Sequence, residues 1–135
     1  MNATIAKRFT FDAAHRLPQL PADHKCHRMH GHTYQVEFIL HGAVGARGFV
    51  ADYAEIDLAW QPIFALIDHQ VLNEIPGLDN PTTENLVWWM FDRLAQDRRP
   101  EIVMVKTTIA RIRIYESSTT WCEVSAREWT ASARR

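Results

Sequence analysis

Apolar and polar residues alternate along two stretches near the N-terminus, the period-two pattern of half-buried strands. Over residues 4–14, Ile5, Phe9, Phe11 and Ala13 share one face, interrupted by Lys7, and His15 continues that face at the strand's end. Over residues 31–41, His32, Tyr34, Val36, Phe38 and Leu40 form the inner set, and Thr33, Gln35, Glu37, Ile39 and His41 the outer one. Residues 17–24 carry Pro18 and Pro21 and read as irregular, and residues 42–48 read as a glycine-containing turn.

The period then changes. Asp52 with Glu55 reads as a capping pair, and Ile56, Trp60, Ile63 and Ile67 recur at helical spacing, with Pro62 predicted to kink or split the helix. Residues 68–80 read as a loop with a turn at Pro76-Gly77. Pro81-Thr82-Thr83-Glu84 opens a second helix with a threonine as N-cap, a buried stripe of Leu86 or Val87, Met90 and Leu94, and an end before Pro100. A third strand runs to about Tyr115, with Ile112 and Ile114 inward, which places Glu116 on the inner face at its end. Residues 102–106 form a further strand-like run, residues 119–125 a short fourth strand with Cys122 and Val124 inward, and residues 126–135 a frayed tail. The order ββααββ predicts an α+β fold: a four-stranded antiparallel sheet with two helices and edges for oligomerisation to cover.

At 135 residues the chain has room for one domain, 1–135, and its 47% hydrophobic content is that of a globular protein. Fifteen basic against sixteen acidic residues give a net charge of −1, with none of the basic excess that nucleic-acid or membrane-surface binding needs. No apolar run approaches the roughly 18–20 residues of a membrane span, and residues 1–10 lack a secretory h-region. Two cysteines allow at most one bridge. A cytoplasmic location is therefore expected. Composition does not account for five of the seven histidines falling between His15 and His32.

His30 and His32 flank Gly31. Residues two apart on a strand project to one face, so both rings reach a common point, and His15 ends the neighbouring strand on the same face. Three imidazoles with a fourth position open is the arrangement of catalytic zinc. Cys26 reads either as a fourth ligand closing the site or as a nucleophile or base beside the metal. In Asp68-His69 a carboxylate is placed to orient an imidazole, though for the pair taken alone helix C-terminal charge chemistry is the favoured reading. A buried Glu116 needs a partner, either an arginine or a ligand that donates hydrogen bonds. Lys25, His27 and Arg28 around Cys26 form a solvated charged loop or a local anion site.

Taken in order, Phe11-Asp-Ala-Ala-His15, Cys26-x-x-x-His30-Gly-His32, Asp68-His69 with Leu72-Asn73, Pro81-Thr82-Thr83-Glu84-Asn85 and Tyr115-Glu116-Ser117 resemble the 6-pyruvoyltetrahydropterin synthase family over residues 4–125. Leu17-Pro, His24-Lys-Cys26 and residues 72–81 look most like its bacterial branch, which contains 6-carboxy-5,6,7,8-tetrahydropterin synthase of the queuosine (7-deazaguanine) pathway. The resemblance implies the tunnelling fold, with subunits assembled into barrels, a hexamer of two trimers and sites between subunits. It implies His15, His30 and His32 as zinc ligands, Cys26 as catalytic thiol, Asp68 and His69 as a proton-transfer pair, Glu116 as pterin anchor, and Thr82 and Thr83 along the pterin pocket. Lys25 and Arg28 are candidates for triphosphate contacts.

The implied reaction converts 7,8-dihydroneopterin triphosphate to 6-carboxy-5,6,7,8-tetrahydropterin, acetaldehyde and triphosphate. The alternatives are 6-pyruvoyltetrahydropterin formation without carbon–carbon cleavage, a zinc-dependent cyclohydrolase or other hydrolase, and a zinc-stabilised binding module without activity. The sequence departs from the family twice. Thr107 stands where some relatives place the pterin-binding glutamate, in a segment longer than the motif needs. Met29 stands where a folate-synthesising branch carries a glutamate, which argues against that activity.

Overall fold

The computed structural model describes residues 1–133. The two alternating stretches form β1, Asn2–His15, and β2, His30–Ala43, paired antiparallel along their whole length with His15 opposite His30. Helix α1, Tyr53–Ile67, starts where Asp52 Oδ1 accepts a hydrogen bond from the Ala54 N–H at 2.9 Å. Strand β3, Gln70–Val71, pairs parallel to β1 at Ala13 and Ala14. Helix α2, Thr83–Gln96, starts at Thr82, whose Oγ1 accepts from the Asn85 N–H. Helix α3, Val103–Thr108, leads into β4, Ile109–Tyr115, followed by β5, Trp121–Ser125, and helix α4, Ala126–Ala133. The sheet order is β3-β1-β2-β4-β5, antiparallel except for β3.

One face of this sheet carries the core. Phe9 stacks on Trp60 of α1 at 4.8 Å and Phe11 on Tyr34 at 4.7 Å between ring centroids. The predicted stripes of both helices are buried here, α2 adding Trp89 and Phe91. The opposite face is polar, and among the described residues no helix packs across it.

Four expectations need correction. The sheet has five strands rather than four, since β3 is a two-residue bridge that alternation is too short to register. Four α-helices, not two, occur among the described residues. The strand-like run at 102–106 is helical: Pro100 fixes the first position of a short 3-10 turn that passes into α3. Residues 126–133 form α4 instead of a frayed tail, and the last two tail residues lie outside the described residues. A capping box starts α4: the Ser125 N–H donates to Glu128 Oε2 at 2.8 Å and the Glu128 N–H to Ser125 Oγ at 3.1 Å. Trp129 then stacks on Phe91.

Pro62 lies inside α1 without dividing it. Lacking an N–H, it leaves the Leu58 carbonyl without its helical donor. Arg99 Nη2 supplies the missing hydrogen bond at 2.6 Å, while Asp97 holds the same guanidinium.

Candidate metal centre and adjoining cleft

The paired ends of β1 and β2 gather His15, His30 and His32, with one ligand nitrogen from each lying within 4.8 Å of the others. His15 is fully buried, and its Nδ1 donates to the Pro81 carbonyl at 2.9 Å. His30 Nδ1 donates to the Arg28 carbonyl at 2.8 Å. A carbonyl oxygen only accepts, so each Nδ1 carries a proton and Nε2 is the nitrogen left to ligate a metal. These two Nε2 atoms face each other at 3.0 Å. Two acceptors cannot hydrogen-bond, whereas a divalent cation between them satisfies both. His32 Nε2 is also buried and without a hydrogen bond. Glu116 Oε1 lies 3.2 Å from it, outside bonding alignment.

Burial, the largest influence, lowers the pKa of both His15 and His32, outweighing the opposing pull of the Pro81 carbonyl on His15 and of Glu116 on His32. The rings are therefore neutral near pH 7, the form that ligates metal. The donor set fits a zinc ion held through three imidazoles, of which His15 and His30 are oriented by backbone carbonyls. Tyr34 completes the surround, with its hydroxyl 3.4 Å from His15 Nδ1 and held protonated chiefly by burial.

Asp68 and His69 are joined by a 2.7 Å hydrogen bond from His69 Nδ1 to Asp68 Oδ2. His69 has φ +57°, a left-handed conformation held where its N–H donates to the Asp12 carbonyl at 2.6 Å. In return the Asp12 N–H donates to Asp68 Oδ1 at 3.1 Å, and Thr33 Oγ1 donates to Asp12 Oδ1 at 2.5 Å. The Asp12 amide, first, and His69, second, lower the Asp68 pKa, while the Asp68 carboxylate raises that of His69. The exposed His69 ring borders an open cleft of about 490 Å³ shared with Asp12, Thr33 and His32.

The remaining candidates are disposed around this centre. Glu116 follows β4 directly, its N–H bonded to the Thr120 carbonyl, and reaches the histidine cluster. Thr107 sits on α3 with its hydroxyl turned back onto the Val103 carbonyl, so only Glu116 of these two positions approaches His32. Cys26 is a free, half-buried thiol in the short turn Lys25–His27 and is not part of the ligand cluster. Its carbonyl accepts from the Leu17 N–H, tying the turn to the end of β1. Lys25 and Arg28 flank it and make no ion pair among the described residues. Thr82 adjoins Pro81 above His15, and Thr83 Oγ1 donates to Glu84.

Pattern reading missed the two backbone carbonyls, the Asp12–Thr33 pair and Asn73. Asn73 holds both the N–H and the carbonyl of Arg16, at 2.9 and 2.8 Å, next to His15. Strand alternation could have placed Asp12 and Thr33 on one outer face. The carbonyl partners leave no trace in side-chain identity.

A family model described as 6-pyruvoyl tetrahydropterin synthase matches residues 4–127. A 6-carboxy-5,6,7,8-tetrahydropterin synthase of Synechocystis is 31% identical over 118 residues, 79% of this chain and 90% of that protein. A dihydroneopterin monophosphate aldolase of Pyrococcus furiosus is 29% identical over 109 residues, 81% of this chain and 90% of that one. The solved structure of a Caenorhabditis elegans 6-pyruvoyl tetrahydropterin synthase superposes with a TM-score of 0.80 at 23% identity, covering 93% of this chain and 96% of that one, a likeness of fold.

Proposed function

The chain belongs to the 6-pyruvoyl tetrahydropterin synthase family of lyases, and from that premise we propose that it converts 7,8-dihydroneopterin triphosphate to 6-carboxy-5,6,7,8-tetrahydropterin, acetaldehyde and triphosphate, with one water taken up. The observation that carries the reading is the convergence of ring nitrogens of His15, His30 and His32 at one end of the sheet, with Glu116 Oε1 3.2 Å from His32 Nε2 and the exposed His69 ring bordering a cleft that His32 also lines.

His15, His30 and His32 hold the zinc, which when bound supplies a Lewis acid for the oxygens of the substrate side chain. Glu116 accepts two hydrogen bonds from the guanidine-like edge of the pterin and fixes the ring with its side chain toward the histidines. Thr82 and Thr83 line the ring's pocket. Cys26, as thiolate, removes a proton from the side chain. His69, held by Asp68, passes protons between side-chain atoms. Its raised pKa keeps an acid form available near neutrality, suited to returning a proton. Lys25 and Arg28 attend the triphosphate as it leaves. The working form is a cytoplasmic homo-oligomer, a hexamer of two trimers with sites between copies. Support for assembly comes from β1, whose outer edge is paired only at Ala13 and Ala14.

The test is incubation of the zinc-loaded protein with 7,8-dihydroneopterin triphosphate, followed by mass spectrometry and an acetaldehyde assay. The 6-carboxy product with acetaldehyde is expected. A 6-pyruvoyl product without acetaldehyde would establish the alternative synthase reaction. Release of a phosphorylated two-carbon aldehyde would instead align the chain with its aldolase relative. An unconsumed substrate would refute all three.

A further inference from the structure

Five of the seven histidines fall between His15 and His32, and the metal centre uses three of them. The two left over, His24 and His27, stand on either side of Cys26 in the loop that joins β1 to β2. No residue of that loop, 16–29, is fully buried, so apolar burial contributes little to its order. Hydrogen bonds have to hold it. Among the described residues, the side chains that supply them from within 16–30 are His24, His27 and His30.

The two rings bond in opposite senses. The Cys26 N–H donates to His24 Nδ1 at 3.0 Å, which makes His24 the N-cap of the Lys25–His27 turn. An amide N–H only donates, so this Nδ1 is unprotonated and the His24 proton sits on Nε2. His27 Nδ1 donates to the Leu20 carbonyl at 2.9 Å, so there the proton is on Nδ1. The Leu20 N–H donates to the Leu17 carbonyl at 3.2 Å, and the Leu17 N–H to the Cys26 carbonyl at 2.8 Å. His24 therefore fixes the peptide group before Cys26, and His27 braces the segment that fixes the one after it. Leu17 lies two residues past His15, and His30 Nδ1 holds the Arg28 carbonyl. Both ends of the loop are thus tied to histidines of the metal centre, so a thiol fixed within the loop is fixed relative to that centre.

We propose that His24 and His27 are positioning residues for the Cys26 thiol, His24 as an acceptor and His27 as a donor, each through Nδ1. This rests on the proton-removing role given to Cys26 above. A thiolate that takes a proton from a bound carbon must meet it at a set distance and angle, and small displacements of such a group are costly in rate. Cys26 projects from a three-residue turn, too short to hold itself. Neither left-over ring bonds to His15, His30 or His32, so loss of either should spare the metal centre. Side-chain connectivity supplies the control. In asparagine, Oδ1 and Nδ2 stand one bond beyond Cγ, the place of an imidazole Nδ1, and can accept or donate there. In glutamine the same two groups stand one bond farther out, at the place of Nε2. Asparagine can therefore replace either bond, and glutamine neither.

The test compares Ala, Asn and Gln at each of positions 24 and 27 in zinc-loaded protein. Three quantities are read: zinc content, kcat with 7,8-dihydroneopterin triphosphate, and exchange of the Cys26 and Leu17 amides by NMR. His24→Ala should speed exchange of the Cys26 amide by about fivefold, the equilibrium factor of one lost N-cap, and lower kcat with zinc retained. His27→Ala should do the same at the Leu17 amide by a similar factor, about fivefold for one lost hydrogen bond. His24→Asn and His27→Asn should rescue exchange and kcat, and the Gln variants should behave as the Ala variants. In ring nitrogen spectra of the wild type, at a pH where both rings are neutral, His24 should show the Nε2–H tautomer and His27 the Nδ1–H tautomer. The opposite tautomer at either position would overturn the proposal. Gln variants that match the Asn variants would overturn it too, since the Nδ1 bond would then not be what matters. Faster exchange with unchanged kcat would remove the positioning role, and zinc lost from the Ala variants would show the loop serving the metal centre rather than the thiol. A wild type with the expected tautomers and amide exchange that consumes no substrate would refute the reaction itself, on which the positioning role depends.

Discussion

His30→Ala addresses the metal centre directly. The wild-type site offers three ring-nitrogen ligands, two of them Nε2 atoms facing each other at 3.0 Å. At a free zinc concentration one hundred times the dissociation constant, binding to the native state alone stabilises it by about 2.7 kcal/mol. A 135-residue chain unfolds with an entropy of about 0.28 kcal/mol per kelvin at roughly 2.1 cal/mol/K per residue. The unfolding midpoint should therefore rise by about 10 °C when zinc is returned to chelator-treated protein. Loss of a direct ligand should weaken binding at least as much as the roughly hundredfold upper figure for an outer partner. At the same zinc concentration the variant would then gain about 0.4 kcal/mol, under about 2 °C. The assay is thermal unfolding followed by circular dichroism at one fixed protein concentration, with and without zinc. A variant that keeps the wild-type gain, or a wild type that gains nothing, would refute the three-histidine centre.

Three further outcomes follow from the same geometry. Cys26→Ala should retain zinc by elemental analysis while losing turnover, because the thiol stands outside the ligand cluster; metal loss would make it a ligand. Glu116→Gln should raise KM by about tenfold or more through loss of a charge-assisted contact, with zinc retained; an unchanged KM would remove Glu116 from substrate binding. Asp68→Asn should lower the His69 pKa, since the carboxylate is what raises it. The His69 acid form persists above the usual imidazole range in the wild type and is lost as pH rises. The basic limb of the kcat/KM profile should therefore move to lower pH in the variant, checked by titration of His69 by NMR; an unmoved His69 titration would refute the coupling.

Much of the site was legible because strand alternation is simple geometry. A histidine two residues from another on a strand shares its face, and His15 at the end of the paired strand could only join them. Glu116 followed from continuing the alternation of Ile112 and Ile114 past the end of β4. The elements that escaped are those whose signals are short or compete. Two residues of β3 are too few for a period. Ile102, Val103 and Val105 look like a strand by β-propensity, yet Pro100 starts a helical turn and the apolar side chains Ile102 and Val105 bury from it. Ser125 and Glu128 carried a readable capping box that the polar tail obscured. The left-handed turn at His69 depends on the Asp12 backbone fifty-seven residues earlier, which local pattern does not reveal.

The proline within α1 has an effect beyond its own helix. By freeing the Leu58 carbonyl it creates a docking point that only a donor arriving from elsewhere in the chain can fill, and Arg99, gripped by Asp97, is that donor. Packing of the first helix on the segment after the second is thereby keyed to a single alignment. Were α1 to rotate or slide by one residue, the arginine would meet a carbonyl already bonded within the helix, and the freed one would lose its donor. A break in helical hydrogen bonding, costly when considered alone, thus acts as an alignment mark for the layer that supports the histidine-bearing strands.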